Sequence, residues 1–193
     1  MYTNPSNLVV TLIDLLNRNS LQINSVVSHY QGSSHSLMVL PGMRKVIPAD
    51  AYPVFEIEPV DVPNQWATTR AQRPRYQFRC TLTVMVDNEQ FGVEYICTLA
   101  SIIAEIMTSP ENLQMPVKNE TKWDLTGGLV QTLILDSLLD NVNYSAEKQG
   151  SIRKAEFNWF ALINETYPES KWRVNTVSTP TVIRPIVYET KNK

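Results

Sequence analysis

Cysteine and histidine are scarce in this chain, with two of each among 193 residues. A pair of cysteines, Cys80 and Cys97, is far too few for a disulfide-dense secreted scaffold. Both are expected as buried thiols, because free cysteine packs as a small apolar residue. His29 and His35 flank a polar turn, and no cysteine or carboxylate sits close enough in sequence to complete a tetrahedral or octahedral ligand set, so no metal site is expected. Glycine is sparse too, with six in all. Gly127 and Gly128, in WDLTGGLV, have neither a lysine-bearing phosphate loop nor a three-glycine fingerprint around them, so they read as a turn or a bulge. Neither sign of charge dominates: 17 basic and 19 acidic residues give a net charge of -2 and a pI near 5.7. Specific nucleic-acid binding is therefore not expected. The N-terminal run MYTNPSNLVVTLIDLLNRN lacks a basic leader and is interrupted by Thr11 and Asp14, unlike a signal peptide or a spanning segment. No membrane partner is expected, and the chain is expected to stay in the cytoplasm of the cell that makes it.

What is present is ordinary globular composition, 43% hydrophobic and 19% charged, in a length that suits one domain with an extension. Ser6 is placed to cap a helix over residues 8–18, where Leu8, Leu12, Leu15 and Leu16 share a face and Thr11, Asp14 and Arg18 face away. The segment QINSVVSHYQGSSHSLMVLPG has two short apolar runs separated by Gly32, Ser33 and Ser34, which reads as a hairpin or a flexible loop. In YPVFEIEPV, Phe55 and Ile57 alternate with Glu56 and Glu58, and the flanking prolines suit an edge strand. Residues 60–74 are polar and too many for a tight turn, so a projecting loop is expected.

The clearest pattern comes next along the chain. Tyr76, Phe78, Cys80, Leu82, Val84 and Val86 alternate with polar positions, as in an antiparallel strand with one wet face. Asp87 and Gln90 can form a capping box, and Tyr95, Leu99, Ile102, Ile103 and Ile106 then give a helix over residues 90–108 a single apolar face. Two further runs, LVQTLILDSLLDNVNYSA and IRKAEFNWFALINETY, predict a long hairpin with Ala155, Phe157, Trp159, Ala161 and Ile163 on one face. The first arm, with Leu138 and Leu139 adjacent, allows some helix. After Pro168 the pattern weakens and prolines recur, which reads as an arm. The mixture of helices and strands gives the fold class α+β. The chain divides into a core over residues 1–167 and a C-terminal arm over 168–193.

Two groups of charged residues bear on function. Glu56 and Glu58 lie about 7 Å apart along a strand, a spacing that paired-carboxylate chemistry uses, although a solvated strand face explains them as well. Arg70, Arg73, Arg75 and Arg79, with Trp66 nearby, form the one basic cluster, and Arg and Trp are favoured at protein interfaces. The candidate partner residues are therefore Trp66, Arg70 and Arg73 on the loop, and Val182 and Ile186 on the arm. No catalytic, cofactor-binding or metal-binding residue is assigned, and no enzymatic activity is expected.

The order of these elements resembles that of bacteriophage tail terminators and related head-to-tail joining (neck) proteins. The resemblance covers residues 6–167. It rests on the loop with Trp66 and Arg70, the aromatic-led strand from Tyr76, the helix after it, and the last strand with Arg153, Ala155, Phe157 and Trp159. It implies helices packed on one face of an antiparallel sheet, in a structural virion protein made in the host bacterial cytoplasm whose copies form a ring, typically a hexamer. Such a ring caps the tail tube and meets the head connector, so the implied partners are its own copies, the tail tube protein and a connector or neck protein. Within the same class, a head-closure or tail-completion subunit is the alternative; a small enzyme using Glu56 and Glu58 is the alternative outside it. The long segment 21–50 and the arm after Pro168 depart from the smaller members of the family.

Overall fold

The computed structural model describes residues 4–42, 47–61, 75–86, 89–109, 116–118, 122–123, 129–147 and 151–166. Two helices come first, α1 (Pro5–Arg18) and α2 (Ser20–Gln31). The chain then passes through β1 (Met38–Pro41), a 3-10 turn at Ala49–Ala51, β2 (Val54–Asp61), β3 (Arg75–Met85) and α3 (Glu89–Thr108). Further along come β4 (Lys122–Trp123), β5 (Leu129–Ala146) and β6 (Ile152–Thr166). Among the described residues the strands form one six-stranded sheet in the order β1-β2-β3-β6-β5-β4. All three helices pack into one hydrophobic cluster with a single face of it. The α+β class is as the sequence predicts, with one difference: β1 runs parallel to β2, so the sheet is mixed.

The first helix starts earlier than expected. Its cap is Asn4, whose side-chain oxygen accepts from the Ser6 amide at 3.0 Å. Pro5 explains the shift, because proline is preorganised for the first helical position, where its missing N–H has no partner to lose. Thr11 faces inward, at 1% exposure. Burial is tolerated because its hydroxyl donates to the Asn7 carbonyl at 2.7 Å and accepts from the Lys118 amide at 2.9 Å. Asp14 and Arg18 do face out, as a 2.7 Å ion pair one turn apart.

The expected hairpin or loop around Val26 is instead α2. Its sequence SLQINSVVSHYQ is a poor helix former, and only Ile23 and Val27, four residues apart, are buried. Docking of that two-residue stripe supplies what propensity does not. Nor is β2 an edge strand, because β1 pairs with it from Val54 to Ile57. Pro59 lies beyond the last of those pairs, so no β1 carbonyl requires its absent N–H.

At the centre, β3 pairs with β6 without interruption from Arg75↔Leu162 to Met85↔Ile152. Tyr76, Phe78, Cys80, Leu82 and Val84 on β3, and Ala155, Phe157, Trp159, Ala161 and Ile163 on β6, are all buried. Phe55 stacks on Phe157 with ring centroids 5.7 Å apart, and Phe78 meets Trp159 at a tilt of 44° with centroids 5.4 Å apart. The third helix lies on this face through Tyr95, Leu99, Ile103 and Ile106, each 3% exposed or less. Its stretch 91–108 has the length and apolarity of a membrane span, properties that a buried core helix shares. Burial of such side chains contributes about 1.5–3 kcal/mol each. Asp87, Asn88, Gly127 and Gly128 lie outside the described residues.

The first arm of the long hairpin is strand throughout. It carries register shifts between Ile134 and Asp136 and between Asp140 and Asn143. Leu138 and Leu139 are adjacent because alternation sends one to each face: Leu138 is 57% exposed, whereas Leu139 packs against the core.

Candidate functional site

The face turned away from the helices is built from the alternate residues of β2, β3, β6 and β5. Register sets Glu58, Arg79, Asn158 and Asp140 in one row across the four strands. Arg79 lies 3.8 Å from Glu58, an exposed pair in which each side chain keeps much of its water. The next row is Glu56, Thr81, Glu156 and Asn143. Here the expected solvated face fails: Glu56 is 4% exposed, and Thr81 and Thr83 are 2% exposed. On β2 and β3 this face is covered at Glu56, Thr81 and Thr83 and open at Glu58 and Arg79, while Glu156 and Asn143 farther along the row stay exposed. Glu56 and Glu58 therefore occupy different environments and do not form a matched pair of solvated carboxylates.

Toward the start of β3 the same face becomes apolar. The Arg75 guanidinium lies 4.0 Å from the centroid of the Phe160 ring, a cation–π contact that holds a charge over an aromatic surface. Beside it, Arg75, Asp136, Ser137, Leu138, Phe160 and Leu162 line a groove of about 200 Å³. The groups in it are tied to neighbours. The Ser137 hydroxyl donates to the Met107 carbonyl at 2.7 Å, and the Asp136 carboxylate accepts from the Ser137 amide at 2.8 Å. The groove presents aromatic, aliphatic and guanidinium surface, the composition of a protein-binding patch.

A second groove, of about 240 Å³, opens where α3 meets the far end of the hairpin. Val93, Ile96, Cys97, Tyr144 and Arg153 are among its walls. Burial is the main cause that raises the Tyr144 phenol above its ordinary pKa, and the Cys97 thiol beside it adds to the effect. Cys97 is half-buried, not fully buried as the sequence suggested. Cys80 is buried, and burial pushes its thiol pKa well up. Phe91 and Val93 continue the apolar surface into solvent.

His29 lies in the last turn of α2 with its ring edge-on to Tyr30, and the His35 ring meets the Ser34 hydroxyl. No group of three metal-ligating side chains occurs among the described residues.

No family model and no curated protein matches the chain. Among solved structures, it is similar to a chain from the virion of a native gene transfer agent (GTA) particle, at 11% identity and a TM-score of 0.55. That superposition covers 85% of this chain and 99% of the other. The shared feature is the fold. A second solved chain superposes more loosely, at 10% identity and a TM-score of 0.35, over 81% of this chain and 97% of its own.

The interface residues read from the sequence, Trp66, Arg70, Arg73, Val182 and Ile186, lie outside the described residues. The strands that flank the first three, however, end beside the Arg75 groove, since β2 ends at Asp61 opposite Gln77 and β3 begins at Arg75. Sequence reading missed Leu138, Phe160 and Tyr144 as surface residues. Strict alternation through LLDNVNY would have placed Leu138 outward, but the bulge after Asp140 disguises the phase of the residues beyond it.

Proposed function

We propose that this protein is a structural virion component, a tail terminator whose copies close into a ring that caps a tail tube and receives a head connector. The observation that carries this reading is the fold likeness to a chain of the gene transfer agent virion, at a TM-score of 0.55 over 85% of this chain. The element order and the aromatic-led central strand, which resemble those of terminators, support the finer assignment. So do two grooves with apolar walls, the Arg75–Leu138 groove on one face and the Val93–Tyr144 groove on the other. Two unlike patches on one subunit suit head-to-tail contacts, which generate a closed ring when the rotation per subunit closes. In this reading the protein acts by shape and contact, without a catalytic step, cofactor or metal.

Negative-stain electron microscopy and native mass measurement of the purified protein test the proposal. Closed rings of one size are the expected result, and incubation with purified tail tubes lacking a cap should place such a ring at one end. A monomer at all concentrations, with no binding to tube ends, would overturn it.

A further inference from the structure

We infer that the surface of β5 around Leu138 seats in the groove over Arg153 of a second copy of this chain. The inference deepens the ring proposal and rests on it, because it names residues for the head-to-tail contact. On the face turned away from the helices, register sets Asp136 beside Leu162, Leu138 beside Phe160 and Asp140 beside Asn158. The register shifts of β5 fall outside this stretch, so Asp136, Leu138 and Asp140 alternate regularly and share one face. Leu138 is 57% exposed, and both aspartates are exposed. The strand thus presents one aliphatic knob between two carboxylates.

The groove between α3 and the far end of the hairpin has the complementary character. Val93, Ile96 and Tyr144 give it apolar walls, and Arg153 is the one charged residue among those that line it. Val93 and Tyr144 are each 50% exposed, so the mouth of the groove is open to solvent. Two acidic groups close to it in sequence are engaged elsewhere, Glu94 with the Tyr30 hydroxyl and Glu147 with the Lys154 ammonium. A guanidinium carries five donors in a fork that matches a carboxylate, so Arg153 can take a further acceptor beside the contacts it already makes. Charge also selects the pairing. Knob against knob across a twofold axis would bring Asp136 and Asp140 toward their own copies, and groove against groove would do the same for Arg153, whereas knob into groove sets opposite charges together. One chain cannot make this contact with itself. Tyr144 pairs with Ala155 on the helix-bearing face of the sheet, and Leu138 pairs with Phe160 on the other face. A knob and a groove on opposite faces make the contact heterologous, repeating from copy to copy.

The test uses full-length chains in a Cys97→Ser background, which removes the groove's own thiol. One chain carries Leu138→Cys and the other Val93→Cys. Under mild oxidation, the mixture should give a covalent adduct of one chain of each kind, in excess of the adducts that either chain forms with itself. A control replaces Val93→Cys with Leu21→Cys, at a position 89% exposed on α2. Adding Asp136→Asn and Asp140→Asn to the first chain should lower the mixed adduct about two- to fivefold at low salt, and added salt should lower it for the parent pair. A mixed adduct no greater than the control would overturn the inference. So would a predominance of Leu138→Cys chains linked to each other, or a mixed adduct that loss of the two carboxylates leaves unchanged. Closed rings seen by microscopy without the mixed adduct would overturn this contact and leave the ring standing. A mixed adduct in open chains of subunits would uphold the contact and count against the ring.

Discussion

The Gln31 side chain, in the last turn of α2, donates to the Met85 carbonyl at the end of β3, 2.7 Å away across 54 positions of sequence. The oxygen of the same amide accepts from the Tyr95 hydroxyl of α3 at 3.3 Å. One side chain thus joins two helices to the central strand. Gln31→Leu should leave a carbonyl and a phenol without these partners and cost about 1–3 kcal/mol. Gln31→Glu would instead keep the acceptor for Tyr95 and lose the donor to Met85. Chemical denaturation should rank the parent first, then Gln31→Glu, then Gln31→Leu; equal stability of all three would show that the bridge contributes nothing.

Gly92 lies in α3 where a β-carbon would stand 2.7 Å from the Val86 Cγ2 methyl. A β-branched neighbour cannot swing away, so Gly92→Ala should destabilise by about 1–3 kcal/mol through overpacking, despite the roughly 1 kcal/mol that alanine gains in a helix interior. In a Val86→Ala background the sign should reverse. Melting curves of the two single variants and the double variant read this directly.

Ile103 is fully buried, whereas its neighbour Ile102 is only partly so. Ile103→Ala is expected to cost about 2–5 kcal/mol, and Ile102→Ala distinctly less. Equal losses in thermal denaturation would mean that α3 meets the sheet along a different line.

Alkaline pH should loosen the fold. Burial raises the pKa values of the Cys80 thiol and the Tyr95 phenol, whose ordinary values are 9.0 and 10.0. Above those values the unfolded chain releases protons that the folded chain retains. Stability contributed by these groups is therefore complete below about pH 9 and declines as pH rises through 9 to 10 and beyond. Unfolding free energies should be flat from neutral to about pH 8 and fall above it, and Tyr95→Phe should make the decline shallower. An unchanged slope in that variant would remove Tyr95 as a contributor.

The parts of the fold legible in the sequence are those where period and burial coincide. In β3 and β6 every second residue faces the helices, and in α3 the 3.6-residue stripe is five residues long, so both periods stand out. The second helix was hidden because its buried stripe is only Ile23 and Val27, in a segment of weak helix formers. The parallel β1 was hidden because four residues cannot declare a direction. Glu56 misled because alternation reports which face a residue is on and not whether that face is covered. At the candidate site, Arg75 was visible as part of an arginine cluster. Its Phe160 partner was not, since the two come together only through the pairing of strands more than eighty residues apart.

That separation also governs how the molecule must be made. The eleven residues of β3 find their central partner in β6, so Cys80 has to wait for Phe157. During synthesis the ribosome delivers β3 and α3 long before β6 exists, and their apolar faces must persist without the strand that completes the sheet. Contacts this distant in sequence slow folding and prolong the exposure of sticky surface. Truncation anywhere before residue 152 therefore removes the middle of the sheet, not its edge, and yields an aggregating fragment instead of a smaller subunit.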